Sequence, residues 1–461
     1  MKLSRRSVLA SAAGLAFAGV AMRSEVWAAD PIHNQVPGYG PLVADPEGIF
    51  DLPAGFSYQV ISRAGETMND GFLVPGKFDG MGCFSLGGDQ IALLRNHELK
   101  AGDVSKGPFG KDGLMAAACN EGKAYDHRAD GRPLPGGVTT VVYDIRTRQT
   151  VSQHLSLVGT STNCAGGVTP WGSWLTCEEN TARAGDGGTK DHGYVFEVPS
   201  AGRCLIDPRP LTALGRFRHE AACVDPRSGV VYLTEDQDDS LFYRFLPVDR
   251  ADLSKGGRLQ ALALDEAGFD TRNWKAAALP QGEWRNVRWI DMTGVDNPHD
   301  DLKDRGHAAG AALFARGEGV FFGKGELYFT CTSGGAIKSG QVMRYVPSEH
   351  EGQPGEADAP GKLQIFVEST DPKVLDYADN LAVAPWGHLV LCEDRYSLAK
   401  RNHLKGLTPD GKAYVIGRNV YDGNAELAGA CFSPDGQTLF VNIYSPGLTL
   451  AITGPWGSFR A

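Results

Sequence analysis

Short apolar runs, bounded by turns that contain Gly or Pro, recur along most of the chain, and long helical periodicity is largely absent after the first 29 residues. Three stretches repeat the pattern closely. An apolar run leads into a turn ending in Gly, a second apolar run follows, and an acidic pair stands six and seven residues after that Gly. The copies are Val-Thr-Pro-Trp-Gly-Ser-Trp-Leu-Thr-Cys-Glu178-Glu179, Val-Asp-Pro-Arg-Ser-Gly-Val-Val-Tyr-Leu-Thr-Glu235-Asp236 and Val-Ala-Pro-Trp-Gly-His-Leu-Val-Leu-Cys-Glu393-Asp394. A third run, often closed by Pro, completes the unit: Tyr-Val-Phe-Glu-Val-Pro199, Phe-Tyr-Arg-Phe-Leu-Pro247 and Val-Met-Arg-Tyr-Val-Pro347. Runs this short, rich in Val, Tyr, Phe and Leu, predict strands.

Six turns mark six units: Gly87-Gly88, Pro170-Trp171-Gly172, Pro226 to Gly229, Gly323-Lys324-Gly325, Pro385-Trp386-Gly387 and Pro434-Asp435-Gly436. Units of three to four antiparallel strands repeated this way predict an all-β chain, a six-bladed β-propeller with loop insertions. The turns stand about 50 to 95 residues apart, so insertions hang off some blades, the largest being 99–135 and 248–310. Two packed β-sandwich domains are the alternative, but they leave the return of the acidic pair in register unexplained. The mature chain, 30–461, is expected to form one domain.

Equal hairpin arms bring the residues before a turn and those after it to the same end of the sheet. Cys164 stands six residues before Pro170 and Glu179 seven after Gly172; Glu220 stands six before Pro226 and Asp236 seven after Gly229. Glu318 stands seven before Gly325, Asp379-Asn380 and Glu393-Asp394 flank the fifth turn, and Glu98 follows the first at a longer distance. Inner strands of a propeller face one channel, so these groups are expected to ring one of its mouths. Adjacent strand residues point to opposite faces, so one acid of each pair faces the channel. In the Glu178-Glu179 copy the second is favoured, opposite Cys164. Clustered carboxylates raise one another's pKa and burial disfavours them further; bound cations resolve this. Oxygen donors suit hard cations such as Ca²⁺, whereas a thiolate points to a softer metal.

Composition narrows the class. A net charge of −10 disfavours nucleic-acid binding. Residues 1–29 read as a twin-arginine signal peptide: Ser4-Arg5-Arg6-Ser7-Val8-Leu9, a small-residue apolar stretch, and Val26-Trp27-Ala28 before the cleavage point. That predicts a partner in the twin-arginine export machinery, a periplasmic or secreted location and no membrane span in the mature form. Nine Cys are present without a C-x-x-C pair, which excludes zinc-ribbon and thioredoxin-type motifs and leaves disulfide pairing open.

Arg-Asn-His-Glu98, Asn-Cys164-Ala-Gly-Gly-Val-Thr-Pro-Trp-Gly, Thr-Cys-Glu-Glu179-Asn, Arg-His-Glu220-Ala, Arg316-Gly-Glu318-Gly, Gly-Gln-Val-Met-Arg-Tyr and Asp-Asn380-Leu with its following Pro-Trp-Gly resemble the PhoX family of periplasmic alkaline phosphatases. The resemblance spans nearly the whole mature chain. It implies a six-bladed propeller that hydrolyses phosphomonoesters with an iron–calcium cluster (Fe³⁺ and Ca²⁺) on its axis. Carried over by position, Glu98, Cys164, Glu179, Glu220 and Glu318 resemble cluster ligands and Arg316 a contact to the substrate phosphate. Glu178, Asp236, Asn380, Glu393 and Asp394 are further metal or substrate candidates from the repeat geometry. The implied substrate is a small phosphoester, and the protein is expected to act as a monomer. Other metal-dependent propeller hydrolases (a lactonase or a phosphotriesterase) and a non-enzymatic calcium-binding propeller stand as alternatives. The acidic loops Asp186 to Asp191 and His299 to Asp301 read as solvated loops.

Overall fold

The computed structural model describes residues 33–119, 122–395, 401–423 and 425–461. The expected signal peptide lies outside them. The described strands build six blades around an axis, each starting at the inside. Blade 1 holds Phe78–Gly87, Gln90–His97, Gly136–Asp144 and Gln149–Thr160; blade 2 holds Asn163–Val168, Ser173–Glu178 and Val195–Pro199. Blade 3 holds His219–Val224, Val231–Glu235, Phe242–Pro247 and Gly257–Leu264; blade 4 holds Gly317–Gly323, Glu326–Cys331, Gln341–Val346 and Lys362–Glu368. Blade 5 holds Ala378–Val383, Leu389–Glu393, His403–Leu407 and Ala413–Asn419. Blade 6 takes Leu427–Phe432, Thr438–Ile443 and Leu448–Thr453 from the C-terminal region and its outer strand, Ser57–Arg63, from the N-terminal region. That pairing locks the circle. The six inner strands neighbour one another in a closed cycle, 1 to 6 and back to 1, which two sandwiches would not give.

Each blade is sandwiched between two others, so its strands are buried on both faces; Leu389–Glu393 and His219–Val224 are buried throughout. This explains the near-continuous apolar runs where a one-sided sheet would alternate. Every interface between blades has its own apolar cluster: Leu94 with Trp174 between blades 1 and 2, Phe242 with Phe329 between 3 and 4, Ile416 with Val441 between 5 and 6. The insertion at 99–135 lies between the second and third strands of blade 1. The segment 248–310 is only partly an insertion. It contains the outer strand of blade 3 and a further strand, Arg285–Asp291, which also pairs with Lys362–Glu368 and joins blades 3 and 4. Among the described residues Cys83, Cys164, Cys177, Cys204, Cys223, Cys331, Cys392 and Cys431 are free thiols.

Near the axis the inner strands approach closely. A Cβ on Gly80 would stand 2.5 Å from Ala165 Cα, and one on Gly319 2.8 Å from the backbone nitrogen of Leu381. The channel thus requires glycine at both positions.

Candidate active site

Each inner strand carries a β-bulge in its opening residues. Three residues on the inner strand span two on its partner: Phe78↔His97 then Met81↔Arg95, Asn163↔Glu178 then Gly166↔Thr176, His219↔Glu235 then Ala222↔Leu233. Blades 4, 5 and 6 repeat this, with the sixth shifted by one residue. A bulge re-aims side chains. The second residues of the inner strands are Asp79, Cys164, Glu220, Glu318, Asp379 and Ala428. A second tier follows the end of each second strand: Glu98, Glu179, Asp236, Thr332, Asp394 and Tyr444. Their backbone N–H groups donate to the carbonyls of Lys77, Thr162, Arg218, Arg316, Tyr377 and Glu426, over 2.8 to 3.4 Å. These six rim residues each precede an inner strand, and four (Lys77, Thr162, Arg316 and Tyr377) have φ between 49° and 55°. Left-handed backbone at non-glycine residues clusters at functional sites. Second-strand side chains then hold the bulges: Asn96 Nδ2 donates to the Cys164 carbonyl and Asn442 Nδ2 to that of Asp79, at 3.0 and 2.6 Å, while the Thr234 and Thr330 hydroxyls reach those of Glu318 and Asp379.

Two groups of donors converge in the ring. Ligand atoms of Cys164, Glu179 and Glu220 lie within 4.8 Å of one another, and so do those of Glu220, Glu318 and Asp379. Glu220 belongs to both. Its side chain is completely buried, and among the described residues neither carboxylate oxygen has a hydrogen-bond partner. Burial, then the charges of Glu318, Asp379 and Glu179, push its pKa well above the usual carboxylate range. Burial and Asp236 do the same to Glu318, against the opposing Arg316; burial and Asp394 bring Asp379 to about 7. Asp79, Glu98, Glu179, Asp394 and the Cys164 thiol are all raised, in each case first by burial. An unpaired buried carboxylate is strongly unfavourable, so its natural complement is a cation. The orphaned Glu220 oxygens and a donor set of carboxylates with one thiol fit bound cations, the carboxylates suiting hard ones and the thiol a softer one.

Arg316 spans two ring members. Its Nε and Nη2 donate to the two Asp236 oxygens at 2.8 and 2.9 Å, and Nη2 lies 2.8 Å from Glu318 Oε1. It precedes its strand, in left-handed backbone, so it reaches Glu318 through the bulge and not through strand alternation. Asp79 Oδ2 accepts from the Cys164 thiol at 3.6 Å, and Tyr444 donates its hydroxyl to Glu98.

The structure turns some candidates away from the ring. Glu178 points into its blade, where it accepts from the backbone of Ser161, Gly193 and Tyr194 at 2.9 to 3.2 Å and meets His192 Nδ1 at 2.7 Å. Glu393 likewise accepts from His403, through both the backbone N–H and Nδ1. The pleat explains both: the first acid of each pair ties its strand to the third strand of its own blade, and the second faces the channel. Asn380 accepts from Gly429 N at 2.9 Å, linking blades 5 and 6, and its amide donates to Asp379. Asp79 is a ring member that the turn offsets do not reach, and in the Asp379-Asn380 pair the ring takes Asp379 and not the candidate Asn380. The bulge between Ala378 and Leu381 decides which of the two neighbours faces the ring. Asp79 is set off by the ten-residue length of its strand, which defeats a fixed offset from the turn; its signal is its match with Glu98 across the first hairpin.

Behind Glu178 lies a buried ionic triad. His192 Nε2 meets Asp126 Oδ2 at 3.1 Å while Nδ1 meets Glu178. Burial opposes the imidazolium, but Glu178 and Asp126 outweigh it and raise His192 from 6.5 to about 10. A raised histidine stabilises fully below its unfolded pKa, and the gain is lost as pH climbs through the folded one. Stability should therefore fall between pH 6.5 and 10. His192→Gln should flatten that fall and cost about 3 kcal/mol at neutral pH. Calorimetric unfolding of both proteins across the range checks this, and parallel curves would refute it.

The sequence profile of the alkaline phosphatase PhoX family matches residues 37–447. None of the curated proteins compared with the chain matches it. Among solved structures the chain is similar to Pseudomonas fluorescens PhoX in complex with vanadate, a transition state analogue. The TM-score is 0.66 at 18% identity, with 92% of this chain and 98% of that one covered. A gluconolactonase from Xanthomonas campestris matches at a TM-score of 0.40 and 13% identity, over 92% of this chain and 100% of that one. The profile begins before the strand that locks blade 6 and ends inside that blade, and on this match the chain belongs to the alkaline phosphatase PhoX family and is a metal-dependent phosphatase.

Proposed function

We propose that this phosphatase hydrolyses small phosphomonoesters at the acid-lined mouth of the channel, with an iron–calcium cluster held by the ring. The observation that carries the reading is the Glu220 carboxylate, shared by both donor groups, buried and unpartnered. Cys164, Glu179 and Glu220 would hold one cation; Glu220, Glu318 and Asp379 another; Glu98 and Asp79 stand next to them around the ring. When bound, the cations neutralise charge on the transferring phosphoryl group and acidify water. The protein's own residues do the rest. Arg316 offers a planar guanidinium to the phosphate oxygens, with Asp236 fixing its plane. The bulges and the blade-to-blade hydrogen bonds hold the donors rigid, so little reorganisation accompanies reaction. The lactonase, phosphotriesterase and calcium-scaffold alternatives are not favoured by family membership.

Among the described residues no helix is long and apolar enough to cross a membrane. We read the protein as a monomer exported in folded form by the twin-arginine machinery to the periplasm, which would let the metals be loaded first.

The test is direct. The mature protein should contain iron and calcium, hydrolyse glycerol phosphate, lose that activity to a calcium chelator and regain it with calcium. Vanadate should inhibit it. Full activity in metal-free protein would overturn the proposal.

A further inference from the structure

Arg218 stands two residues before Glu220, just as Arg316 stands two before Glu318 in the next blade. Both are rim residues that receive a backbone hydrogen bond from the second tier. Their surroundings differ. Arg316 is forked onto Asp236. Among the described residues the one acid within 4.0 Å of the Arg218 guanidinium is Asp300, with Nε to Oδ2 at 3.9 Å, beyond hydrogen-bond reach, and the Arg218 side chain is 48% exposed. Arg218 borders a cavity of about 570 Å³ that reaches Glu179 in the second tier, and Lys100 lines the same cavity. Among the described residues the Lys100 ammonium has no ion-pair partner. Its charge bears on Glu98, and that of Arg218 on Glu179. Asp186, at the cavity's edge, is occupied by the Arg183 backbone N–H.

We propose that this cavity is the leaving-group subsite and that Arg218 and Lys100 select phosphomonoesters whose alcohol carries a second anionic group. The inference rests on the phosphomonoester reading above. Its volume suits a small organic ligand. A protein of net charge −10 with an acid-lined mouth would repel a second anion. Two cations without tight partners, beside the ring, reverse that locally and add charge-assisted hydrogen bonds to carboxylate or phosphate. Both side chains reach solvent, so replacing them leaves the packing of the blades alone.

Two measurements on the metal-loaded protein test it. Calorimetry compares a bisphosphonate with a three-carbon spacer against propylphosphonate; the bisphosphonate should bind about tenfold tighter, and the doubly substituted Arg218→Ala, Lys100→Ala protein should lose that preference. Steady-state kinetics compares phosphoglycerate with glycerol phosphate. The ratio of their kcat/KM values should fall about tenfold in the same variant. Equal binding of the two phosphonates, or ratios that the substitutions leave unchanged, would overturn the subsite. Selective binding without turnover of either ester would instead overturn the phosphomonoester reading and leave the anion subsite standing.

Discussion

Glu220→Gln should abolish phosphatase activity while making the metal-free protein more stable. The two effects have one origin. In metal-free protein the Glu220 carboxyl is wholly buried, has no hydrogen-bond partner among the described residues and faces Glu318, Asp379 and Glu179. Its pKa is raised well above 4.5. Folding at neutral pH therefore either buries a charge or takes up a proton, and both oppose folding. A glutamine in the same place leaves an amide without partners, but it carries no charge. The variant should gain about 1–3 kcal/mol in chelator-treated protein, read as a higher Tm. With metal the sign reverses. Glu220 belongs to both donor groups, so losing its charge weakens both sites together. Metal content should drop, the stabilisation by added metal should shrink, and kcat should fall on the order of 10³-fold or more. Unchanged metal content and turnover would remove Glu220 from the site; a lower Tm in chelator would mean that its carboxylate has a partner after all.

Much of the fold was legible because a propeller repeats itself. Turn residues and acidic pairs return at fixed offsets, and each copy checks the others. What the offsets missed has physical causes. The offset from Gly that holds in the other copies would put the sixth second-tier residue at Ile443, yet Tyr444 occupies the place, because the turn of that blade holds one more residue after its Gly: Ser433 N–H closes onto the Thr438 carbonyl where Ala384 closes onto His388. The blade 6 lock by Ser57–Arg63 joins residues almost the whole chain apart, and no local pattern announces such a pairing. Within the site, alternation separated Glu179 from Glu178, since a pleat has only two faces. It failed before the turns, where a bulge inserts a residue and breaks the alternation that would tell Asp379 from Asn380. The uneven ring follows as well: blade 6 carries Ala428 where the other five carry a ligand-type side chain, so the donors gather toward blades 1 to 5. Glu178 and Glu393 show the complementary lesson. An acid beside a site is not in it when backbone N–H groups on the far face already claim its oxygens.

Arg316→Lys separates a guanidinium that works on substrate from one that only balances the ring. The fork onto Asp236 fixes the plane of Arg316, and Nη2 also reaches Glu318. Among the described residues Nη1 makes no hydrogen bond, which leaves a donor for a phosphate oxygen. Lysine keeps the positive charge, so the repulsion between Asp236 and Glu318 stays compensated and metal content should be retained. It cannot reproduce the fork, and a single ammonium cannot face Asp236 and a phosphate oxygen in one plane. If Arg316 acts on the transferring phosphoryl group, kcat should fall on the order of 10²- to 10³-fold, with a smaller change in KM, because the contact strengthens as charge develops. Arg316→Ala should show the same fall in kcat and, in addition, a lower Tm, since Asp236 and Glu318 then face each other without a cation. A purely structural arginine gives the opposite pattern: the lysine variant would keep turnover within about twofold and only the alanine variant would suffer. Vanadate affinity gives an independent readout. A transition-state contact predicts that it weakens in the lysine variant in parallel with kcat/KM, and unchanged vanadate binding beside lost turnover would assign Arg316 a role away from the phosphoryl group.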